Sequence, residues 1–362
     1  MPSPAQPPPQ PQPWPRFLRT ALASLAMALA LAGGLIAVMN PYGNLPVRAF
    51  GGHVIMDTND RFQYPAIVRS RRFDSVVLGS STARLLDPAR LEAALGGRFA
   101  NLALNDGRAW EQMQLASLFL ATEPRPQTLL IGLDWVWCAG DADTAPTSPT
   151  RIFPHWIYDA DPWNDLAHLL NGRALETALR QLGYRVGLLP ARFPANGFDV
   201  FVPPETAYDA GKAQRNIWRG LPRVLVPATP AYLPGQAERQ AWTYPALAWL
   251  EELLVKTPVA TRKVLAFMPV HIAAQPQPAS AAAAREAECK VRIAAIAARH
   301  GAHLVDFRIA SSITAEDANY WDALHYRLPI AQRLPDSIGT AVTTGRDDPR
   351  GDWRYLAGPP RH

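Results

Sequence analysis

A serine near the start of this sequence and an aspartate–histidine pair near its end are suited to nucleophilic chemistry. Gly79-Ser80-Ser81 ends a short apolar run that predicts a buried strand, and a helical pattern follows it. Asp322 and His325 stand three residues apart, after the last predicted strand. A serine hydroxyl becomes a good nucleophile when an imidazole takes its proton and a carboxylate orients that imidazole. Ser81, His325 and Asp322 therefore predict a catalytic triad.

Two alternatives compete with this interpretation. Asp165 and His168 have the same spacing, but they lie in a helical pattern with no strand before it, which predicts a solvent-facing pair on a helix. The turn at Gly79–Ser81 would also suit a phosphate group at a helix N-terminus. The Gly-Lys-Ser/Thr signature of phosphate-binding loops is missing there, however. Position after a strand therefore favours Asp322 and His325.

The elements that must position these residues alternate between strand and helix patterns, which predicts an α/β fold with a parallel sheet covered on both faces. In such sheets ligands bind beyond the carboxyl ends of the strands. Residues 140–262, rich in Pro, Trp and Tyr, predict an insertion over the strand ends, either a substrate-binding lid or a structural cap. Strands are predicted at 74–79, 99–104, 128–133, 263–267 and 303–307, and helices from Asp87 and at 110–121, 280–299 and 329–340.

Together these residues resemble the SGNH/GDSL hydrolase superfamily over about residues 70–345 without the insertion, and in particular its membrane-anchored branch of alginate O-acetyltransferase and teichoic-acid D-alanyl transfer relatives. Gly79-Ser80-Ser81 matches the Gly-Asp-Ser block, with the serine that is common in that branch, and Asp322-x-x-His325 matches the last block. The resemblance implies a flavodoxin-like three-layer fold and an esterase or O-acyltransferase acting on an acylated carbohydrate or cell-envelope polymer. The alternative is an inactive scaffold of the same fold that binds envelope polysaccharide or an assembly partner.

The resemblance also implies where the oxyanion of the reaction is held. Residues 101–107 correspond to the second block, so the N–H groups of Ser81 and Gly107 are the expected donors. The third block carries an asparagine donor where this chain has Asp134. A carboxylate cannot donate unless protonated, so Asp134 is expected to cap a turn or pair with an arginine. Either Asn105 or a backbone N–H then substitutes, or the enzyme is slow or inactive, since losing one donor adds about 3 kcal/mol to the barrier.

Substrate contacts are predicted at two places beside these strand ends. His271 follows the fourth strand and either faces the pocket or is structural. Trp135 follows the third strand, where it and Trp137 either stack on a sugar ring or belong to the core. The sequence contains no cofactor motif and no convincing metal-ligand cluster, so neither group is predicted.

The N-terminal residues predict a membrane anchor. Residues 1–16 are rich in Pro and Gln and predict a disordered cytoplasmic tail. Residues 17–40 predict a transmembrane signal anchor, because their uncharged part spans roughly 28 Å as a helix, close to the thickness of a bilayer core; a cleaved signal peptide is the alternative. Arg16 and Arg19 precede the uncharged run at 21–39 and only Arg48 closely follows it, which predicts a single-pass protein of the cytoplasmic membrane with an extracytoplasmic (periplasmic) catalytic domain.

The remaining organisation is a juxtamembrane linker at 41–72, a catalytic domain at 73–345 and a C-terminal tail at 346–362. The net charge of +5 comes from scattered arginines without a nucleic-acid-binding motif, so no nucleic-acid partner is expected. Cys138 and Cys289 form one disulfide outside the cytoplasm or remain two buried thiols, and the sequence does not choose between these.

Overall fold

The computed structural model of the protein describes residues 14–45, 54–159, 161 and 163–359. Most of the predicted Pro-rich tail and Arg48, on which the predicted orientation depends, lie outside the described residues.

One six-stranded sheet forms the centre of the fold. Its strands are β1 (Ser75–Leu78), β2 (Phe99–Asn101), β3 (Thr128–Leu133), β4 (Arg262–Phe267), β5 (His303–Asp306) and β6 (Arg354–Ala357). They lie in the order β2-β1-β3-β4-β5-β6, and the first five pair in parallel while β6 is antiparallel to β5. The predicted α/β class with a mostly parallel sheet is confirmed. The chain order reverses between β1 and β3, which is where such sheets bind ligands.

Helices cover both faces of this sheet. The helices of the described residues are α1 (Trp14–Met39), α2 (Asp60–Arg69), α3 (Pro88–Leu95), α4 (Ala109–Thr122), α5 (Leu166–Leu169), α6 (Gly172–Arg185), α7 (Ala210–Trp218), α8 (Gln236–Ala241), α9 (Ala246–Lys256), α10 (Ala281–Arg299) and α11 (Leu328–Thr344). Val76 and Leu78 pack with α2, α4, α9 and α10, whereas Val77 packs on the opposite face with α3 and α11. This alternation follows from the period of two in a strand.

The predicted linker at 41–72 is wrong in part, because it contains α2. Asn59 caps this helix by accepting a hydrogen bond from the N–H of Arg61 at 3.2 Å. Ile67 and Val68 are buried in the core beside α4. Pro65 lies inside the helix and interrupts the pattern from which a helix is normally predicted.

The predicted insertion and tail boundaries also differ from the structure. The insertion is predicted to end at residue 262. Its last helix, α9, instead belongs to the helical layer of the sheet, because it buries Leu250, Leu253 and Leu254 in the core against α4. The predicted C-terminal tail contains β6, which extends the sheet beside β5. An edge strand of four residues carries too little pattern to be recognised from sequence.

Among the described residues, one helix, α1, is long and apolar enough to cross a membrane. The end of α1 packs into a small apolar cluster together with the turn that follows it, α2 and the insertion. We call this group the anchor cluster; it consists of Ile36, Met39, Tyr42, Leu45, Phe62, Ile157, Leu169, Ala174 and Ala178.

Cys138 and Cys289 form a disulfide, with Cα atoms 5.7 Å apart. The bond joins the turn after β3 to α10. Of the two alternatives that the sequence left open, the structure therefore contains the bonded one.

Candidate active site

Ser81 stands at the carboxyl end of β1, where the strand turns sharply into a short 3-10 turn, Ser81–Ala83. Gly79 makes this turn possible with a φ of +154°, and a Cβ there would meet Ala83 at 2.7 Å. Asn101 stabilises the turn, because its side-chain amide donates to the carbonyls of Ala83, Arg84 and Leu86 at 2.9–3.1 Å. Ser81 is thereby left half-buried at the edge of the sheet.

His325 and Asp322 meet Ser81 in one hydrogen-bonded chain, as the sequence predicted. The Nε2 atom of His325 lies 3.0 Å from Ser81 Oγ. On the other side of the ring, Nδ1 lies 2.9 Å from Asp322 Oδ2 and 3.1 Å from Oδ1. These distances are those required for proton transfer from serine to imidazole. Burial raises the pKa of Asp322, but hydrogen bonds from His325 and Leu324 outweigh it, so the pKa lies below its ordinary value and the carboxyl is ionised.

The loop that carries Asp322 and His325 is fixed by its own backbone. Tyr320 and Tyr326 form an antiparallel bridge, and the N–H of Trp321 donates to the carbonyl of His325 at 2.9 Å. The Tyr326 hydroxyl donates to the carbonyl of Thr82, next to the nucleophile. This bond joins the histidine loop directly to the serine turn, so the two halves of the triad are held by more than their mutual contact.

His271 does not face the pocket, so its predicted role in substrate binding is wrong. Its side chain is fully buried between the edges of Trp218 and Tyr320, and its Nε2 lies 3.1 Å from Asp317 Oδ1. Burial lowers the pKa of His271, although Asp317 acts in the opposite direction. Its backbone N–H donates to the carbonyl of Ala323, so the residue supports the triad loop from inside.

Asp134 has the capping role that was expected of it. One carboxylate oxygen accepts the N–H of Val136 at 3.1 Å, and the other accepts the hydroxyl of Ser80, the neighbour of the nucleophile. The side chain is buried, and burial raises its pKa against these hydrogen bonds. Because both oxygens accept hydrogen bonds, Asp134 does not serve as an oxyanion donor in this arrangement.

A buried ion pair lies behind the loop at residues 105–108. Arg61 and Glu111 are both fully buried, with Nε–Oε1 and Nη2–Oε2 distances of 2.7 Å. Arg61 also donates to the carbonyls of Asn105 and Asp106 at 3.0 and 3.2 Å, and Glu111 accepts the N–H of Arg108 at 2.8 Å. Such fork-to-fork pairs fix geometry strongly. The pair immobilises the loop beside Gly79, and sequence patterns gave no signal for it.

Two backbone N–H groups in this loop, those of Gly107 and Asn105, are already engaged. The N–H of Gly107 donates to the carbonyl of Leu104 at 3.2 Å, and the N–H of Asn105 donates to Asp60 Oδ2 at 3.3 Å. The backbone of Ser81 differs, because Ser81 is the first residue of its 3-10 turn and the first N–H groups of a helix lack an acceptor within it. Of the three predicted donors, Ser81 is therefore the best placed.

The insertion reaches the triad. The ring of Phe201 meets the imidazole of His325 edge to face, with centroids 5.3 Å apart. Arg84 lies over Phe201 and forms ion pairs with Asp60 and Asp199 at 3.0 and 2.8 Å. Phe201 and Arg84 were missed by sequence reasoning, because nothing in the pattern of the insertion indicates which of its aromatic residues returns to the sheet.

Trp135 lies at the start of the turn after β3. Its ring is 50% exposed, and the guanidinium of Arg108 lies 5.2 Å from the ring centre. Trp137, by contrast, is fully buried and donates to Gln112 at 3.2 Å. Of the two predicted alternatives, core packing and contact with a sugar ring, Trp137 belongs to the core, whereas Trp135 is accessible to a ligand.

The second Asp–His pair lies away from the site. Asp165 accepts from the side chain of Asn44 at 2.7 Å and is buried, so the expectation of a solvent-facing pair is wrong for this residue. His168 is exposed and stacks on Trp156. In the described part of the chain, no group of three or more His, Cys, Asp or Glu side chains could hold a metal ion.

In comparisons with known proteins, no protein-family model matches this sequence, and a search of the curated proteins finds no match.

Proposed function

We propose that this protein is an SGNH-type serine esterase or O-acyltransferase. The observation that carries the proposal is the unbroken chain of contacts from Ser81 Oγ through His325 to Asp322 at 3.0 and 2.9 Å. The location of these groups at the carboxyl ends of parallel strands, next to the β1–β3 reversal, supports it further.

In the proposed reaction His325 Nε2 takes the proton of Ser81 as the hydroxyl attacks the acyl carbonyl. Asp322 keeps the other proton on Nδ1 and stabilises the imidazolium that forms. The same proton then goes to the departing alcohol, which leaves an acyl group on Ser81. Attack by water on this acyl-enzyme makes the protein an esterase, and attack by a sugar hydroxyl makes it an acyltransferase.

The N–H of Ser81 is the proposed principal oxyanion donor. Gly107 contributes only if its hydrogen bond to Leu104 opens when substrate binds, because its N–H already donates to the Leu104 carbonyl at 3.2 Å. With Asp134 in place of an asparagine donor, the proposed enzyme is slow compared with an otherwise equal site that has all three donors, since each lost donor costs about 3 kcal/mol.

The proposed substrate is an acylated carbohydrate or cell-envelope polymer. Trp135 supports this, because a half-exposed indole suits a sugar ring and its neighbour Asp134 contacts Ser80. Trp135→Ala is then expected to raise KM several-fold for an acylated oligosaccharide and to leave kcat unchanged. Trp163→Ala, which removes a tryptophan of the insertion that is 67% exposed, is the matched control. Equal KM values for the two variants would remove Trp135 from the substrate site.

The proposed location is the cytoplasmic membrane, with α1 as the anchor and the rest of the chain outside the cytoplasm. The bond between Cys138 and Cys289 supports this side of the membrane, because disulfides persist in oxidising compartments and are rare in the cytosol.

An inactive scaffold is the second candidate. It is favoured by the two engaged oxyanion donors and by the acid at position 134. Such a protein would bind envelope polysaccharide or an assembly partner with the same cleft and would catalyse nothing.

A fluorophosphonate probe, which reacts only with activated serines, separates the two candidates. We expect covalent labelling of the wild-type protein and its loss in Ser81→Ala and His325→Ala. His168→Ala is the matched control, because it removes a histidine of the second Asp–His pair and should keep full labelling. Absence of labelling in folded wild-type protein would favour the scaffold.

A further inference from the structure

The loop that leads into α6 touches α1 well below its outer end. A methyl group placed on Gly33 would lie 3.5 Å from Leu170 Cδ2. Gly33 precedes the last residue of α1, Met39, by about 9 Å along the helix axis at 1.5 Å per residue. Further along α6, Gln181 donates to the carbonyl of Pro41, just beyond α1. The helix α6 therefore runs beside the end of α1, and its first residues are the deepest.

The charges on α1 indicate where a bilayer would sit on it. Residues 20–39 carry no charged side chain, and as a helix they span about 30 Å, which matches the hydrocarbon core. Placing the outer boundary at Gly33 instead would draw Arg16 and Arg19 into the hydrocarbon, which is unfavourable. The contact between Gly33 and Leu170 then lies inside the outer leaflet.

The loop that makes this contact has a surface suited to lipid. Leu170 is 70% exposed and Leu166 is exposed as well, although neither is near the active site. The loop carries two polar side chains: His168 stacks on Trp156, and Asn171 accepts the N–H of Ala174 at 2.9 Å and donates to the carbonyl of His168 at 2.6 Å. Internal pairing of backbone groups is what a segment needs in order to leave water.

We propose that residues 166–172 dip into the outer leaflet beside α1, with Leu166 and Leu170 against lipid acyl chains. The partner is the bilayer itself, because the loop is continuous with the surface of the helix that would span it. The inference rests on the proposed anchoring by α1. It adds a second membrane contact that would hold the domain in one orientation relative to the bilayer.

Depth-dependent fluorescence quenching tests the proposal on the full chain in lipid nanodiscs. The two native cysteines are bonded to each other, so a single introduced cysteine can be labelled with bimane. Leu170→Cys is the test, Leu25→Cys on α1 is the membrane control, and Val259→Cys on the exposed turn before β4 is the solvent control. Phospholipids brominated along their acyl chains serve as the quencher.

We expect quenching at positions 170 and 25, at least twofold above that at position 259. Leu166→Cys should repeat the result at 170 and guards against a local effect of one label. Quenching at 25 with none at 170 and 166 would overturn the dipping loop while keeping the anchor. Absence of quenching at 25 would overturn the anchor, and the dipping loop with it.

Discussion

Replacing Asp322 by asparagine should abolish most activity while leaving the loop in place. The Oδ1 atom of Asp322 accepts the N–H groups of Leu324 and His325 at 2.8 and 3.0 Å, and an amide oxygen can accept both of these bonds. The amide NH2 then replaces Oδ2, which lies 2.9 Å from His325 Nδ1. Facing a donor, Nδ1 must become an acceptor, so the ring proton moves to Nε2 and His325 can no longer take the proton of Ser81.

The size of the loss follows from the exposure of the carboxylate. In a well-buried triad the wrong tautomer lowers kcat by about 10⁴-fold. The side chain of Asp322 is 36% exposed, so water reduces its electrostatic contribution. We therefore expect a decrease of about 10³-fold in kcat, which corresponds to about 4 kcal/mol in the barrier.

Hydrolysis of p-nitrophenyl acetate by purified protein in detergent measures this loss. Asp87→Asn is the matched control, because Asp87 caps α3 with a bond to Ala89 that asparagine can also make. The control should retain wild-type activity, and both variants should unfold at the same denaturant concentration as the wild type. A decrease below tenfold in Asp322→Asn would refute the assignment of the tautomer, and with it the catalytic role of the pair.

Three further predictions concern the residues around the site. Arg61→Met should lower the unfolding free energy in urea by about 3–5 kcal/mol, because it leaves Glu111 buried without its ion-pair partner. Adding Glu111→Leu should restore much of this loss. An Arg61→Met variant as stable as the double variant would contradict the prediction. Serine at both Cys138 and Cys289 should lower the unfolding free energy by about 5 kcal/mol, since the disulfide joins residues 151 positions apart, and an unchanged urea midpoint would contradict that account. Burial raises the pKa of Asp106, but hydrogen bonds from two hydroxyls outweigh it and hold the pKa below its ordinary value of 3.8. The wild-type protein should therefore be more stable than Asp106→Asn at pH 7, and this difference in unfolding free energy should vanish as the pH falls below 3.8. A difference that stays the same between pH 2 and 7 would contradict this prediction.

The meeting of Ser81, Asp322 and His325 was predictable because each of them follows a strand whose apolar pattern is visible in the sequence. Gly79–Ser81 directly ends β1, and the loop of Asp322 and His325 comes between β5 and α11. In a parallel sheet the ends of different strands share one edge, so residues 244 positions apart are brought together by topology alone. No information about side-chain packing is needed for this step.

The errors arose where packing between distant segments decides the outcome. Whether His271 faced solvent depended on Trp218, which comes from the insertion and covers it. The pairing of Arg61 with Glu111 joins two helices whose separate patterns say nothing about each other. Gly107 could be aligned with an expected donor, but the direction of its N–H depended on the local turn at Leu104.

The helix α2 joins two parts of the molecule through neighbouring residues. Phe62 packs into the anchor cluster, while Arg61 beside it donates hydrogen bonds to the loop next to Ser81. One short helix thus contacts both the anchor cluster and the loop beside Ser81, and it holds these two regions in a fixed relation. For the proposed membrane-anchored enzyme, this link would fix the height of the cleft above the lipid, so that the cleft would meet polymer at one distance from the membrane surface.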